Sequence, residues 1–120
     1  MARYVIRKHW FPLVSDVRPI VDGRALRGMP VTLNGETWDL IFVERMPPGH
    51  EDREGLTVRE KKEILILKGL IGSTELEAII HEADHAIDPS RGEDYITARA
   101  HERSVVLWRM GFRRTEQANG

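Results

Sequence analysis

The sequence predicts an α+β fold in which two helices pack on a small, mostly antiparallel sheet. Three features predict it: an Asn34-Gly35 turn between runs of strand-forming residues, a short apolar run over residues 62–68, and helical periodicity over residues 74–88 and 93–110. Because the strands come first and the helices last, the order is typical of α+β proteins rather than of alternating α/β proteins.

The composition limits the functions that are open to this chain. Its 120 residues suit the single domain that we expect over residues 1–120. With 41% hydrophobic and 31% charged residues, the chain should fold around a core. A net charge of -1 provides no global attraction to nucleic acid or to an anionic membrane. Because there is no cysteine, disulfides, thiolate nucleophiles and cysteine-based zinc sites are excluded.

Strands are predicted in the N-terminal half of the chain. Residues 3–6 have the β-branched and aromatic character of a first strand, whereas prolines and glycines interrupt residues 11–29. Residues 31–44 are predicted to form a hairpin, because the Asn-Gly pair readily adopts the positive φ of a two-residue turn. Residues 45–55 then form a polar loop with paired prolines. The apolar run 62–68 predicts a strand with both faces at least partly covered.

Helices are predicted in the C-terminal half. The first begins near Thr74, because Thr74 and Glu77 have the spacing of a capping box. Its predicted buried stripe consists of Leu76, Ile79, Ile80, Ala83 and Ile87. The second helix should run from Glu93 to Met110 and end at Gly111, a favourable C-terminal cap. Its predicted buried face consists of Ile96, Ala100, Val106, Leu107 and Met110.

The first helix carries His81, Glu82 and His85 in the pattern H-E-x-x-H. Residues four apart lie on one helix face, about 6 Å from each other, so two imidazoles can bind the same tetrahedral ion. Glu82 points about 100° away from His81, where it can take a proton from a metal-activated water without ligating the metal. On a helical wheel with 100° per residue, both histidines lie away from the apolar stripe, so they should face a cleft or bulk water. The alternative is a solvated face on which they pair with Glu77 or Asp84.

A third metal ligand is expected from the second helix. The connection after His85 is short, so the second helix should return antiparallel and bring its first turn level with that residue. Glu93 lies at the inner border of this turn and is the favoured ligand, with Asp94 and His101 as alternatives. An acidic residue in a first turn is also expected from the helix dipole alone.

The segment from "WDLIFVE" through "KKEILILKGLIGSTELEAIIHEADHAID" to "LWRMGFR", roughly residues 38–113, resembles a known family. It is similar to the small zincin-like H-E-x-x-H metallopeptidase domains of phages and bacteria, of the minigluzincin and SprT-like kind. The resemblance implies a zincin-like fold with Zn²⁺ bound by His81 and His85 and with Glu82 as general base. In gluzincins the third ligand is an acidic residue of the following helix, which fits Glu93. Asp84 departs from the family, which usually has an aliphatic residue there, and it could support the site or alter its function.

A hydrolase is the function that this resemblance implies. The expected activity is that of a zinc metalloprotease, which cleaves a protein or peptide substrate with a metal-activated water. Tyr95, Arg99 and His101 are candidates for stabilising the oxyanion, and a substrate could add to the strand over residues 62–68 if that strand is an edge rather than core. The alternative function is a catalytically inactive zincin-fold protein with a binding or regulatory role, associated with a phage.

Neither nucleic acid nor a membrane is an expected partner. The arginines of the second helix alternate with acidic residues, which is typical of a solvated helix face. The N-terminal segment "MARYVIRKHWFPLV" has basic residues but no long apolar run, and "ILIL" is too short to span a bilayer. We therefore expect a cytoplasmic location, in the host cytoplasm if a phage encodes the protein.

Overall fold

A computed structural model describes residues 19–115, so the strand predicted at residues 3–6 lies outside the described part of the chain. The strands are β1 (Ile20–Val21), β2 (Arg24–Ala25), β3 (Met29–Leu33), β4 (Glu36–Val43), β5 (Gly55–Val58) and β6 (Glu63–Leu67), and the helices are α1 (Ser73–Ile87) and α2 (Glu93–Arg109). The fold is therefore α+β, as predicted. Neither helix in residues 19–115 combines the length and the apolar character needed to cross a bilayer.

The main sheet has the strand order β3-β4-β6-β5, and β1 and β2 form a separate ribbon. The pairs β3–β4 and β5–β6 are antiparallel, whereas β4 and β6 are parallel, so the sheet is mixed but mostly antiparallel. The prediction that residues 62–68 form a strand covered on both faces is confirmed, because Glu63 to Ile66 are all buried. β6 lies inside the sheet, so a substrate cannot add to it, and the edge on this side is β5.

The hairpin of β3 and β4 forms around the Asn-Gly turn, as predicted. Asn34 has a φ of 53° and Gly35 a φ of 80°, the combination that a type I′ turn requires. Leu33 pairs with Glu36 across this turn, which fixes the register of the whole hairpin.

The core lies between α1 and one face of the sheet. Alternate residues of β4 and β6 point toward the helix, because successive side chains of a strand face opposite sides. Small residues of α1 meet them, so the helix lies close to the sheet. The buried members of this core are Trp38, Leu40, Ile64, Ile66, Ala78 and Ala86.

The buried face of α1 differs from the predicted stripe. The buried residues are Ala78, Glu82 and Ala86, at intervals of four, whereas Ile87 is 42% exposed. Ile79 and Ala83 are partly buried and pack against the core, so the prediction is confirmed for these two residues. The difference arises because two alanines allow close approach of the helix, whereas the helical wheel gave most weight to large side chains.

The start of α1 also differs from the predicted capping box. The helix begins at Ser73, after Gly72 with a φ of 65°, and no side chain caps this end. Thr74 is already inside the first turn, where it cannot act as the N-cap. Glu77 instead pairs with His101 of α2, with 3.2 Å between Oε1 and Nδ1.

The end of α2 follows the prediction. Gly111 has a φ of 95°. Its amide donates to the carbonyl of Trp108 at 3.0 Å, and the amide of Phe112 donates to that of Leu107 at 3.1 Å. These two bonds form a Schellman motif, which satisfies carbonyls that the last helical turn leaves unpaired.

The buried face of α2 is only partly the predicted one. Ile96 and Ala100 are buried as expected, but the next buried residue is Ser104. Val106 and Met110 were predicted to be buried and are 56% and 69% exposed. The buried residues of α2 are spaced four apart, from Ile96 to Ser104, and form the line along which α2 meets α1. Val106 and Met110 do not lie on this line and are exposed to solvent.

Two alanine substitutions in α2 test this orientation. Ile96 is 1% exposed, so Ile96→Ala should lower the free energy of unfolding by about 2–5 kcal/mol through lost burial and a cavity. Val106→Ala, at an exposed position of the same helix, should change it by less than about 0.5 kcal/mol. Urea unfolding followed by circular dichroism measures both, and equal losses would contradict the orientation of α2.

Candidate metal centre

His81, His85 and Glu93 come together where α1 ends and α2 begins. The Nε2 atoms of the two histidines are 3.2 Å apart. One carboxylate oxygen of Glu93 lies 3.0 Å from Nε2 of His81, and the other lies 2.9 Å from Nε2 of His85. The predicted ligand set is thus a compact group of two nitrogens and a carboxylate that could hold a metal ion.

The spacing of these donor atoms suits a small divalent cation. Ligand atoms bound tetrahedrally to zinc at about 2.0–2.1 Å are about 3.3 Å from one another. The observed separations of 2.9 to 3.2 Å are close to that value. Two imidazoles and one carboxylate are also the donor set of many catalytic zinc sites, in which the fourth position stays open.

The short loop between the helices brings Glu93 to the histidines. The carboxylate of Asp88 accepts hydrogen bonds of 2.8 Å from Ser90 and from Arg91, and these bonds hold the pKa of Asp88 below its ordinary value. Gly92 is the N-cap of α2, so Glu93 is its first helical residue. A carboxylate at this position is also favoured by the partial positive charge of the helix N-terminus.

Glu93 is ionised at neutral pH and can therefore act as a ligand. Partial burial is the largest single effect and raises the pKa of Glu93, whereas attraction to the imidazoles of His81 and His85, when these are protonated, lowers it. Hydrogen bonds from His85 and from the Thr97 hydroxyl, 3.3 Å from Oε2, act in the same direction. Together they hold the pKa of Glu93 below its ordinary value.

Glu82 lies beside the group without belonging to it. It is only 7% exposed, because it faces the edge strand β5. The Thr57 hydroxyl is 2.7 Å from Oε1 of Glu82 and 3.0 Å from its backbone carbonyl oxygen. Gly55 leaves the space that Glu82 fills, since a Cβ there would lie 2.8 Å from Cγ of Glu82. Glu82 is thus held against β5 and does not belong to the ligand group.

A cleft of about 750 Å³ opens next to this group. One wall is formed by residues 52–55, which lead into β5, and the other by the α1 face that carries His81 and Glu82. Glu93 also lines it. Two of the three candidate ligands, His81 and Glu93, and the candidate base Glu82 therefore border one space.

The two acidic residues that could have paired with the histidines are engaged elsewhere. Asp84 accepts hydrogen bonds of 2.9 and 3.1 Å from Arg103 of α2, and Glu77 pairs with His101. Both contacts tie α1 to α2. Asp84, predicted as an accessory residue of the site, therefore joins α1 to α2 through Arg103.

The other accessory candidates do not line the cleft. Asp94 is exposed in the first turn of α2 and is not in the ligand group. Tyr95 packs against the guanidinium groups of Arg91 and Arg99, at 4.6 and 5.3 Å from the ring centroid, and accepts a hydrogen bond from Arg99. His101 pairs with Glu77, which itself lines the cleft. Within the described residues, none of them lines the cleft.

Three residues at the site were not predicted from the sequence. Thr57 and Gly55 contact Glu82, as described above. Arg59, in the turn after β5, donates to the carbonyl oxygens of His85 at 2.7 Å and of Ala86 at 3.3 Å. These residues precede the motif by more than twenty positions and carry no local pattern that would identify them.

Comparison with known proteins gives no relative for this chain. No family model matches it, and no curated protein or solved structure is significantly similar. Its function must therefore be inferred from the geometry and chemistry of the site.

Zinc content tests the ligand group directly. We expect about one zinc per chain after purification and dialysis, and a loss of most of it in His81→Ala, since a tetrahedral site that retains only two protein ligands binds weakly. His101→Ala is the matched control, because this exposed histidine pairs with Glu77 instead. Elemental analysis measures the ratio, and equal zinc in the two variants would contradict the assignment.

Proposed function

We propose that this protein is a zinc-dependent metallopeptidase with a zincin-like fold, related to the minigluzincin and SprT-like domains. The observation that carries the proposal is the convergence of His81, His85 and Glu93 beside a cleft that Glu82 also lines. A structural ion pair would not require two imidazole nitrogens 3.2 Å apart to face one carboxylate. A cation among the three donors would account for the arrangement.

The residues would divide the chemistry as follows. His81, His85 and Glu93 hold the cation, and a divalent cation bound there supplies the polarisation of an attacking water and of the peptide carbonyl. Glu82 takes a proton from that water as the oxygen attacks the carbonyl carbon, and returns it to the leaving amine. Tyr95, Arg99 and His101, the candidates for stabilising the oxyanion, do not line the cleft, and no step is assigned to them.

The substrate would be a protein or peptide in an extended conformation. β5 is the edge of the sheet next to the cleft, and residues 52–55 form the cleft wall that leads into it. A peptide that adds to this edge gains main-chain hydrogen bonds without any particular sequence. The substrate was predicted to add to the strand over residues 62–68, but that strand lies inside the sheet, so β5 takes this role in the proposal.

A second candidate is an inactive protein of the same fold that binds a partner or regulates one, associated with a phage. The observation that favours it is the burial of Glu82, which is 7% exposed and has one carboxylate oxygen already hydrogen-bonded. A base in such a position must still reach the attacking water. Metal binding alone does not separate the two candidates, whereas hydrolysis does.

The substitution Glu82→Gln separates catalysis from metal binding. It keeps the size of the side chain and removes its ability to accept a proton, so hydrolysis of fluorescein-labelled casein should fall by about 10²- to 10⁴-fold with zinc retained. Glu102→Gln, at an exposed position of α2, is the control and should leave hydrolysis unchanged.

Two outcomes would contradict the proposal. Full activity of Glu82→Gln would remove Glu82 from the role of base. A native protein that holds zinc but cleaves no casein would favour the inactive binding protein instead.

A further inference from the structure

We propose that Thr57 is the positioning residue of Glu82: its hydroxyl holds Oε1 on β5, so that Oε2 is the oxygen presented to the cleft. The inference rests on the proposed function, because Glu82 is the base only if the protein is a peptidase. It concerns an edge-strand residue outside the H-E-x-x-H motif. The Thr57 hydroxyl bonds to Glu82, and Thr57 is not one of the residues that line the cleft.

The two carboxylate oxygens of Glu82 have different surroundings. Oε1 is 2.7 Å from the hydroxyl of Thr57, a residue that does not line the cleft. Oε2 lies on the side of Gly55, where a Cβ would come within 3.0 Å of it, and Gly55 does line the cleft. The strand thus binds one oxygen, whereas the other lies next to a residue that lines the cleft.

The hydroxyl can donate to only one of its two neighbours at a time. It has a single proton, and its possible acceptors are Oε1 at 2.7 Å and the backbone carbonyl of Glu82 at 3.0 Å. A hydrogen bond to an ionised oxygen is shorter and stronger than one to a neutral carbonyl. The shorter contact and the charge both favour donation to Oε1, so Oε2 is the oxygen left to accept a proton from the attacking water.

The hydrogen bond from Thr57 is what holds the buried carboxylate of Glu82 against β5. A carboxylate removed from water needs hydrogen-bond donors, and Thr57 is the side chain that donates to it within residues 19–115. The cleft offers water on the other side. Replacing the hydroxyl by a methyl group should therefore let Glu82 turn toward the cleft, and a misplacement of about 1 Å in a reacting group can lower a rate by about 100-fold.

The test compares Thr57→Val, which has the same shape and β propensity without the hydroxyl, with Thr57→Ser, which keeps the hydroxyl. The full-length zinc-loaded proteins are studied by NMR for the nuclear Overhauser effect between the Gly55 α-protons and the Glu82 γ-protons. These groups are in contact, because a Cβ at Gly55 would lie 2.8 Å from Cγ of Glu82. We expect the effect to persist in Thr57→Ser and to be lost in Thr57→Val.

Kinetics provide the second measurement. With labelled casein, Thr57→Val should lower kcat by about 10- to 100-fold and leave KM within about twofold, and Thr57→Ser should restore most of kcat. The zinc content should be unchanged in both variants. A residue that merely supports the fold would change stability or zinc content without this split between kcat and KM.

The outcomes are distinguishable from a failure of the proposed function. An unchanged Overhauser effect in Thr57→Val, or its loss in Thr57→Ser as well, would overturn the positioning role. If the native protein cleaves no casein, the peptidase proposal fails, and the Overhauser measurement still decides whether Thr57 fixes Glu82. A Thr57→Val protein that has lost the effect but keeps full kcat would show that this position of Glu82 is not needed, which also overturns the inference.

Discussion

The close contact between α1 and the sheet is the constraint on which the rest of the structure depends. Ala78, Glu82 and Ala86 form the line of contact, and Gly55 on β5 leaves room for the middle one. Once Glu82 is buried in this line, helical geometry places His81 and His85 on the same side of it, about 100° and about 60° away around the helix axis. The orientation of the two imidazoles thus follows from this packing arrangement.

The second constraint is the alignment of α2 against α1. Ion pairs join the two antiparallel helices: His85 with Glu93, Asp84 with Arg103, and Glu77 with His101, and beyond the end of α2 Arg114 pairs with Glu75. Exposed ion pairs of this kind each contribute only about 0–1 kcal/mol, so their main effect is on alignment rather than stability. They keep the first turn of α2 level with the last turn of α1, where the carboxylate of Glu93 can meet both histidines.

The edge strand and the turn after it link the sheet to the site at two points. Thr57 contacts Glu82, and the guanidinium of Arg59 donates to the carbonyl of His85 while lying 5.4 Å from the ring centroid of Trp38. Glu82 and His85 are therefore both contacted by the same short segment of chain. A site held in this way needs few residues, which is consistent with its presence in a chain of 120 residues.

The sequence by itself determined the features that depend on neighbours along the chain. The Asn34-Gly35 turn, the strand at residues 62–68 and the limits of α2 follow from turn geometry, apolar runs and caps. The spacing of His81 and His85 follows from the helix, and the short loop favoured Glu93, which does meet both histidines. All of these depend on contacts within a few residues or on one simple chain reversal.

Only the tertiary structure decided which faces are buried and what surrounds Glu82. The sequence prediction placed Ile87, Val106 and Met110 inside, and it had no means of favouring small residues such as Ala78 and Ala86. The interior position of β6 and the contacts of Thr57 with Glu82 join segments about 25 residues apart in the chain. Hydrophobic periodicity measures the size and spacing of side chains along one element, whereas these contacts depend on how closely separate elements approach each other.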